Sequence, residues 1–230
     1  MPVLYRGITL DPQTADADRA AIRQDGQLAV KSFWKNTMAS PKQVRSRTSE
    51  LARAPGKVRD EIKSLPQTPL SYACSDFEGA ARYALSARGT PVVIAFETVL
   101  EEIIIDGKDF LYTVFQFWDR SGTGHRDRVR ENLSTLFGPA MLGWFDLACR
   151  ETDTMARIGL CDLGVHDFAA IKRHYANRTD IAGRHNRLFR SAFALPASLE
   201  PAAILDIQDV TVPPTETART IHLNTDMLTP

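Results

Sequence analysis

Residues 70–84 read LSYACSDFEGAARYA, a short strand that runs directly into a helix. The strand breaks at Ser75-Asp76, because either side chain can cap the first turn of a helix. The helix is predicted over about residues 77–86 and carries a smooth face of alanines. Small residues beside an aromatic ring, here Tyr83, leave room for a flat heterocycle to stack. The stretch therefore predicts a strand–helix unit that lines a binding cavity.

Two apolar runs flank this unit and predict further strands. The first, residues 2–5, leads into Arg6 and Gly7, and the second, residues 90–97, follows the helix. Arginine offers a permanent charge and a planar fork of donors, which suits phosphate or ribose. Glycine lets a ligand approach the backbone closely. We therefore expect Arg6 and Gly7 to anchor a nucleotide.

Together the two segments resemble the ADP-ribosyltransferase superfamily, which includes bacterial mono-ADP-ribosylating toxins and poly(ADP-ribose) polymerases. In that family the first strand ends in Arg-Gly or His-Gly, and Arg6-Gly7 matches the arginine version. The second motif is a strand ending in Ser or Tyr, followed by a helix with a tyrosine about eleven positions on. Ser71-Tyr72 and Tyr83 fit that arrangement. The resemblance covers a small part of the chain.

The resemblance implies an α+β fold, an ADP-ribosyltransferase-like split antiparallel sheet with flanking helices. It also implies roles in binding NAD. Arg6 would contact the ribose or phosphates, and Gly7 would contact the nicotinamide amide through its backbone. Tyr72 or Ser71 would contact the nicotinamide ribose, and Tyr83 would cover the nicotinamide face.

The third motif of the family is a glutamate on a late strand, which stabilises the cationic sugar as nicotinamide leaves. One placement is the apolar strand opened by Asp109, where aspartate would replace glutamate as the catalytic acid beside Arg6 and Tyr72. A second placement is residues 190–196, paired with a strand near residues 204–207, and it offers no carboxylate. In that case the protein has lost transfer activity or takes its acid from elsewhere. The candidates are Glu97, Glu101, Glu102 and Asp109.

The implied activity is an NAD-dependent ADP-ribosyltransferase, a glycosyltransferase that passes ADP-ribose from NAD to a macromolecular acceptor, protein or nucleic acid. Such a chain would suit a bacterial toxin, an effector or a defence factor. One alternative is an RNA 2'-phosphotransferase-like enzyme, which uses arginines and histidines and would fit the basic clusters and Arg190. The other is a catalytically inactive module that binds NAD or ADP-ribose, favoured by the missing glutamate.

Composition bears on the cellular compartment and the partners of the protein but does not distinguish among these functions. The chain has 230 residues, 43% hydrophobic and 24% charged, and a formal net charge of zero, so nothing draws it as a whole to nucleic acid or membrane. An odd set of three cysteines without a CxxC pair suits a reducing compartment. No signal-peptide pattern or long apolar run is present. These features predict a cytoplasmic protein, or one exported without a signal peptide, with no membrane partner.

Two segments are predicted as helical insertions in a single domain spanning residues 1–230. The first, at about residues 31–65, is basic, with nine basic and three acidic residues between Lys31 and Lys63. The second lies at about residues 119–188. The five histidines lack the HExxH spacing and a nearby cysteine pair, so no metal site is predicted.

Overall fold

The computed structural model describes residues 1–27, 71–106, 111, 123–182, 188–195, 198–211, 219–222 and 227. Within these residues helices and short sheets occur together, which confirms the predicted α+β class. The strands are β1 (Val3–Leu10), β2 (Ser71–Ala73), β3 (Thr90–Glu97), β4 (Ile104–Ile105), β5 (Asp180–Ala182), β6 (Leu188–Phe189), β7 (Phe193–Leu195), β8 (Ile204–Asp209) and β9 (Thr220–His222). The helices are α1 (Ala15–Asp25), α2 (Phe77–Leu85), α3 (Thr123–Phe137), α4 (Pro139–Arg150), α5 (Thr154–Gly164) and α6 (Phe168–Tyr175).

The strands form three small sheets. One has the order β1-β3-β8 and another the order β2-β7-β4, and both are antiparallel. In the third, β6-β5-β9, the β5–β9 pair is parallel. The strand predicted within residues 190–196 is β7, which pairs with β2. The strand predicted near residues 204–207 is β8, but it pairs with β3 in the other sheet.

The strand–helix unit at residues 71–85 follows its sequence signals closely. Asp76 is the N-cap of α2, and its Oδ1 accepts a hydrogen bond from the Gly79 N–H at 2.8 Å. This bond satisfies one of the backbone donors that every helix start leaves unpaired. The buried alanines of α2 pack toward β1 and β3, so this face fills space against the sheet and does not leave the room for a heterocycle that the sequence suggested. Local capping and apolar periodicity thus account for this unit.

The main core lies between the sheets and helices α3–α6. Its largest fully buried side chains include Phe96, Phe137, Phe145 and Phe193. Helix α6 begins at an Asp167 cap, whose Oδ1 accepts from two backbone N–H groups and whose Oδ2 accepts from Trp144 Nε1 at 2.9 Å. No helix in the described part of the chain is long and apolar enough to cross a membrane.

Of the two predicted helical insertions, the structure describes only the second. The basic segment at residues 31–65 lies outside the described residues, as does Asp109. Helices α3–α6 occupy residues 123–175, and the chain returns to strand at Asp180, before the end of the predicted helical segment. Leu111, which the sequence places in a strand, is helical and fully buried. A short apolar run fits a buried strand or a buried helix equally well, and its periodicity does not separate them.

Candidate functional site

The sheets that contain β1 and β2 meet at a single antiparallel bridge, where Tyr5 and Cys74 exchange both backbone hydrogen bonds at 2.7 and 2.9 Å. If the pairing continued, the next hydrogen-bonded pair would be Gly7 with Tyr72. Among the residues described, no backbone hydrogen bond forms there. The backbone pairing of the two strands therefore stops after Tyr5, and the gap in pairing between Gly7 and Tyr72 is here called the cleft.

Arg6 reaches across this cleft. Its Nη1 donates a hydrogen bond to the carbonyl oxygen of Tyr72 at 2.9 Å, the atom that a continued ladder would pair with the Gly7 N–H. The residue is only 7% exposed, and its Nε has no hydrogen-bond partner in the described part of the chain. Arg6 is thus a buried cation whose donors are only partly used.

Within the described residues, the surroundings of Arg6 hold no opposite charge paired with it. Burial lowers the pKa of Arg6, and the nearby Tyr83 and Tyr72 hydroxyls act in the opposite direction. Arginine remains charged in proteins despite such shifts. No carboxylate among the described residues forms an ion pair with Arg6. The cleft therefore presents positive charge suited to an anion.

Gly7 serves two purposes in this geometry. A Cβ at Gly7 would lie 1.9 Å from the carbonyl oxygen of Ala80 in α2, so the close packing of strand on helix requires glycine. Backbone groups two residues apart in a strand point the same way. Because Tyr5 turns its N–H and C=O toward β2, Gly7 turns its own toward the cleft. A donor and an acceptor thus stand side by side on one edge.

Ser71 and Tyr72 lie on opposite faces of β2, since successive side chains alternate. Counted from the Tyr5–Cys74 bridge, Ser71 shares a face with Arg6, whereas Tyr72 shares a face with Gly7. Ser71 is fully buried. Tyr72 is half-buried and packs against Ile104 and Ala194.

Tyr83 is held at the cleft by α2. It is 51% exposed, one of the most exposed large hydrophobic side chains described, and it acts electrostatically on Arg6. An exposed aromatic ring beside a buried cation offers a surface for a flat ligand. Of the residues expected from the sequence to bind the cofactor, the structure brings Arg6 and Gly7 close to Tyr72 and Tyr83, whereas Ser71 is fully buried.

A group of charged residues, here called the Arg190 cluster, lies beside α2. Arg190 Nε contacts Asp180 Oδ1 at 3.0 Å, Nη1 contacts Asp76 Oδ2 at 3.2 Å, and Nη2 contacts Glu78 Oε2 at 2.8 Å. Asp180 also pairs with Arg82 at 3.3 Å. Burial disfavours the charge on Arg190, but its bond to Asp180 and the other two carboxylates outweigh burial, so the pKa of Arg190 is raised.

Residues 190–192 are fixed by neighbours on both sides. Ser191 Oγ accepts from the Ser75 N–H at 2.7 Å and donates to Ser75 Oγ at 2.6 Å. The Ala192 N–H donates to His174 Nε2, and His174 Nδ1 lies 3.1 Å from the Leu136 carbonyl oxygen. Accepting from Ala192 requires a neutral ring that donates through Nδ1. Burial lowers the pKa of His174 to about 4 and favours that neutral form.

The carboxylates proposed as alternative acids lie away from Arg6. Glu97 pairs with Val3, three positions before Arg6 in β1, whereas Arg6 pairs with Ile94. Glu101 and Glu102 are exposed in a short 3₁₀ turn at Leu100–Glu102. These positions give Glu97, Glu101 and Glu102 less support than the sequence suggested.

A carboxylate that the sequence analysis did not weigh is Asp106. Its N–H donates to the Ala192 carbonyl oxygen at 2.8 Å, which extends the β4–β7 ladder past Ile105. Alternation places Asp106 on the same face as Ile104 and Tyr72. A carboxylate directly after an apolar triplet, residues 103–105, is the signal that could have identified it.

Cysteine and metal chemistry gain no support from the described residues. Burial, with smaller effects from Asp76 and Asp106, raises the pKa of Cys74 to about 12, so its thiol stays protonated. The part of the chain that is described holds no group of three or more histidine, cysteine, aspartate or glutamate side chains placed to bind a metal ion.

Comparison with known proteins gave no match. No family model matches the chain, no curated protein is significantly similar to it, and no solved structure matches it. The function is therefore inferred from the residues of the cleft.

Proposed function

We propose that this chain has an ADP-ribosyltransferase-like fold, binds NAD in the cleft between β1 and β2, and transfers ADP-ribose to a macromolecular acceptor. The observation that carries the proposal is the buried Arg6 guanidinium, which has no carboxylate partner in the described part of the chain. A buried charge is costly unless an opposite charge compensates it. The pyrophosphate of NAD would provide that charge.

Other groups of the cleft complement the nicotinamide part of NAD. The Gly7 N–H and C=O form an adjacent donor and acceptor, and the carboxamide of nicotinamide carries the complementary pair. Tyr83 offers an exposed ring for the flat pyridine. An anion and an amide therefore have counterparts on β1, in Arg6 and Gly7, and an aromatic ring has one on α2, in Tyr83.

The proposed reaction breaks the bond between nicotinamide and ribose. The sugar becomes cationic as nicotinamide leaves, and a carboxylate placed beside it lowers the barrier. Asp109 is the acid that we propose from the sequence, and it lies outside the described residues. Asp106, at the end of β4, is the described carboxylate nearest to it along the chain.

A binding module without turnover is the second candidate. It is favoured by a specific observation: the side chains that act on Arg6 in the described part of the chain are tyrosines rather than carboxylates. The RNA 2'-phosphotransferase alternative has less support. Arg190 is engaged by three carboxylates, and His174 is buried and hydrogen-bonded on both ring nitrogens.

The experiment that tests the proposal is incubation of the purified protein with NAD and cell lysate, followed by measurement of nicotinamide release and of acceptor mass. A transferase adds one ADP-ribose mass for each nicotinamide released, and Arg6→Ala loses both signals. NAD binding without release identifies the binding module. Absence of binding and release contradicts the proposal.

A further inference from the structure

Helix α2 is held from two sides. On one side its backbone touches β1, where the Ala80 carbonyl oxygen occupies the space that a side chain at Gly7 would need. On the other side α2 presents charged groups to the Arg190 cluster: Glu78 in its first turn and Arg82 in its last. The position of the helix therefore depends on the apolar contact and on the ionic contacts together.

Arg190 joins the start of α2 to β5. Its three donor nitrogens each meet a different carboxylate, those of Asp76, Glu78 and Asp180. Arg190 and Asp180 are both buried, with side chains 7% and 1% exposed. Asp76 also caps α2 through its other oxygen, so the cap and the ion pair share one side chain.

Asp180 carries the linkage to the other end of the helix. Its Oδ1 contacts Arg190 and its Oδ2 contacts Arg82 at 3.3 Å. Arg82 is 9% exposed and directly precedes Tyr83. The cluster thus contacts both ends of α2. Its contact at the C-terminal end is made by Arg82, the residue before Tyr83.

We propose that Arg190 is a positioning residue that fixes α2 and thereby keeps Tyr83 near Arg6. Each of the three nitrogens of Arg190 contacts a carboxylate, so the role proposed for it is to hold α2 rather than to bind the ligand. The expected effect of Arg190 on NAD binding rests on the proposed function. Its effect on the position of α2 does not.

The chemistry of the cluster requires arginine. A planar guanidinium serves three carboxylates at once, but a lysine ammonium is a point charge on a flexible stem. In Arg190→Lys the net charge is unchanged while the three-way geometry is lost. Glu78→Gln is a milder second variant, since Glu78 is 48% exposed and folding does not depend on burying its charge.

Hydrogen exchange tests the hold on α2 without any ligand. We expect the amides of residues 81–85 to exchange at least tenfold faster in Arg190→Lys, and to a smaller extent in Glu78→Gln. The matched control is Trp144→Phe, which removes a partly buried hydrogen bond between α4 and Asp167 at the start of α6 and leaves α2 untouched. If α2 loses no more protection than the rest of the chain in either cluster variant, the proposal is overturned.

NAD affinity provides the second measurement. We expect Arg190→Lys to weaken NAD binding at least fivefold, and Trp144→Phe to leave it unchanged at a similar loss in Tm. Unchanged affinity in Arg190→Lys overturns the positioning of Tyr83. If the wild type binds no NAD while α2 still loosens, the proposed function fails and the hold on α2 stands.

Discussion

The guanidinium of Arg6 donates to the carbonyl oxygen of Tyr72 at 2.9 Å, across the gap where β1 and β2 stop pairing. A side chain thereby takes the place of a backbone donor. Because the Arg6 side chain replaces that donor, the Gly7 N–H and C=O point into the cleft, and the Arg6 guanidinium places a permanent charge beside them. Both consequences arise because the backbone pairing of β1 with β2 stops at the Tyr5–Cys74 bridge and does not continue to Gly7 and Tyr72.

Gly7→Ala tests the packing of α2 on β1. The new Cβ would overlap the Ala80 carbonyl oxygen, so the helix must move, and we expect a loss of about 3 kcal/mol in the free energy of unfolding. Gly143→Ala is the control, because no atom lies within 4 Å of its Cβ position in α4. That change is expected to stabilise by about 0.5–1 kcal/mol. Urea unfolding of both variants measures the difference, and equal effects would contradict the packing.

Tyr83→Ala tests stacking in the cleft. The ring is half exposed, so we expect the free energy of unfolding to change by less than about 1 kcal/mol. NAD affinity should fall about tenfold, since the aromatic face is lost. Tyr83→Phe keeps the face and should bind within about threefold of wild type. Leu85→Ala, an exposed apolar change on the same helix, is the control. Equal NAD affinity in Tyr83→Ala and Leu85→Ala rules out stacking.

His174 makes the fold sensitive to acid. The pKa of His174 in the folded state, about 4, lies below its ordinary value of 6.5. The contribution of the neutral ring to the free energy of unfolding is therefore complete above pH 6.5. It is lost progressively as pH falls toward 4, by about 3 kcal/mol in total. In His174→Gln this part of the pH dependence should vanish. Denaturant titrations at pH 7, 5.5 and 4 measure it, and parallel pH profiles for the two proteins would show that His174 does not titrate as described.

The position of the catalytic acid can be tested by two matched substitutions, Asp109→Asn and Asp106→Asn. If Asp109 stabilises the cationic ribose, its variant should release nicotinamide at least about 100-fold more slowly, with NAD affinity within about threefold. Asp106→Asn should then retain most of the rate. A large loss in Asp106→Asn alone would move the acid to the end of β4. Wild-type rates in both variants would remove both residues from the reaction.

Local signals account for much of what the sequence predicted correctly. The bounds of β3 and the start of α2 follow from an apolar run and a capping aspartate. These features depend on neighbours along the chain, which a single sequence displays.

Long-range features were not predictable in the same way. Arg190 appears in the sequence as one of several arginines available to phosphate, yet the fold surrounds it with Asp76, Glu78 and Asp180, more than a hundred residues away in two cases. The sheet partner of β8 was also missed, because strand order depends on tertiary packing. Asp106 was not considered, because the backbone hydrogen bond to Ala192 that extends the β4–β7 pairing joins residues far apart in the sequence.

The most direct test of the central claim is calorimetric titration of NAD into the wild-type protein, Arg6→Gln and Arg23→Gln. Arg23 is the control, since it is an exposed arginine that pairs with Asp206 at the surface. We predict saturable binding to the wild type and to Arg23→Gln, and at least tenfold weaker binding to Arg6→Gln, because a charge-assisted contact is lost. Equal affinity in all three proteins, or no binding to the wild type, would contradict the assignment of the cleft.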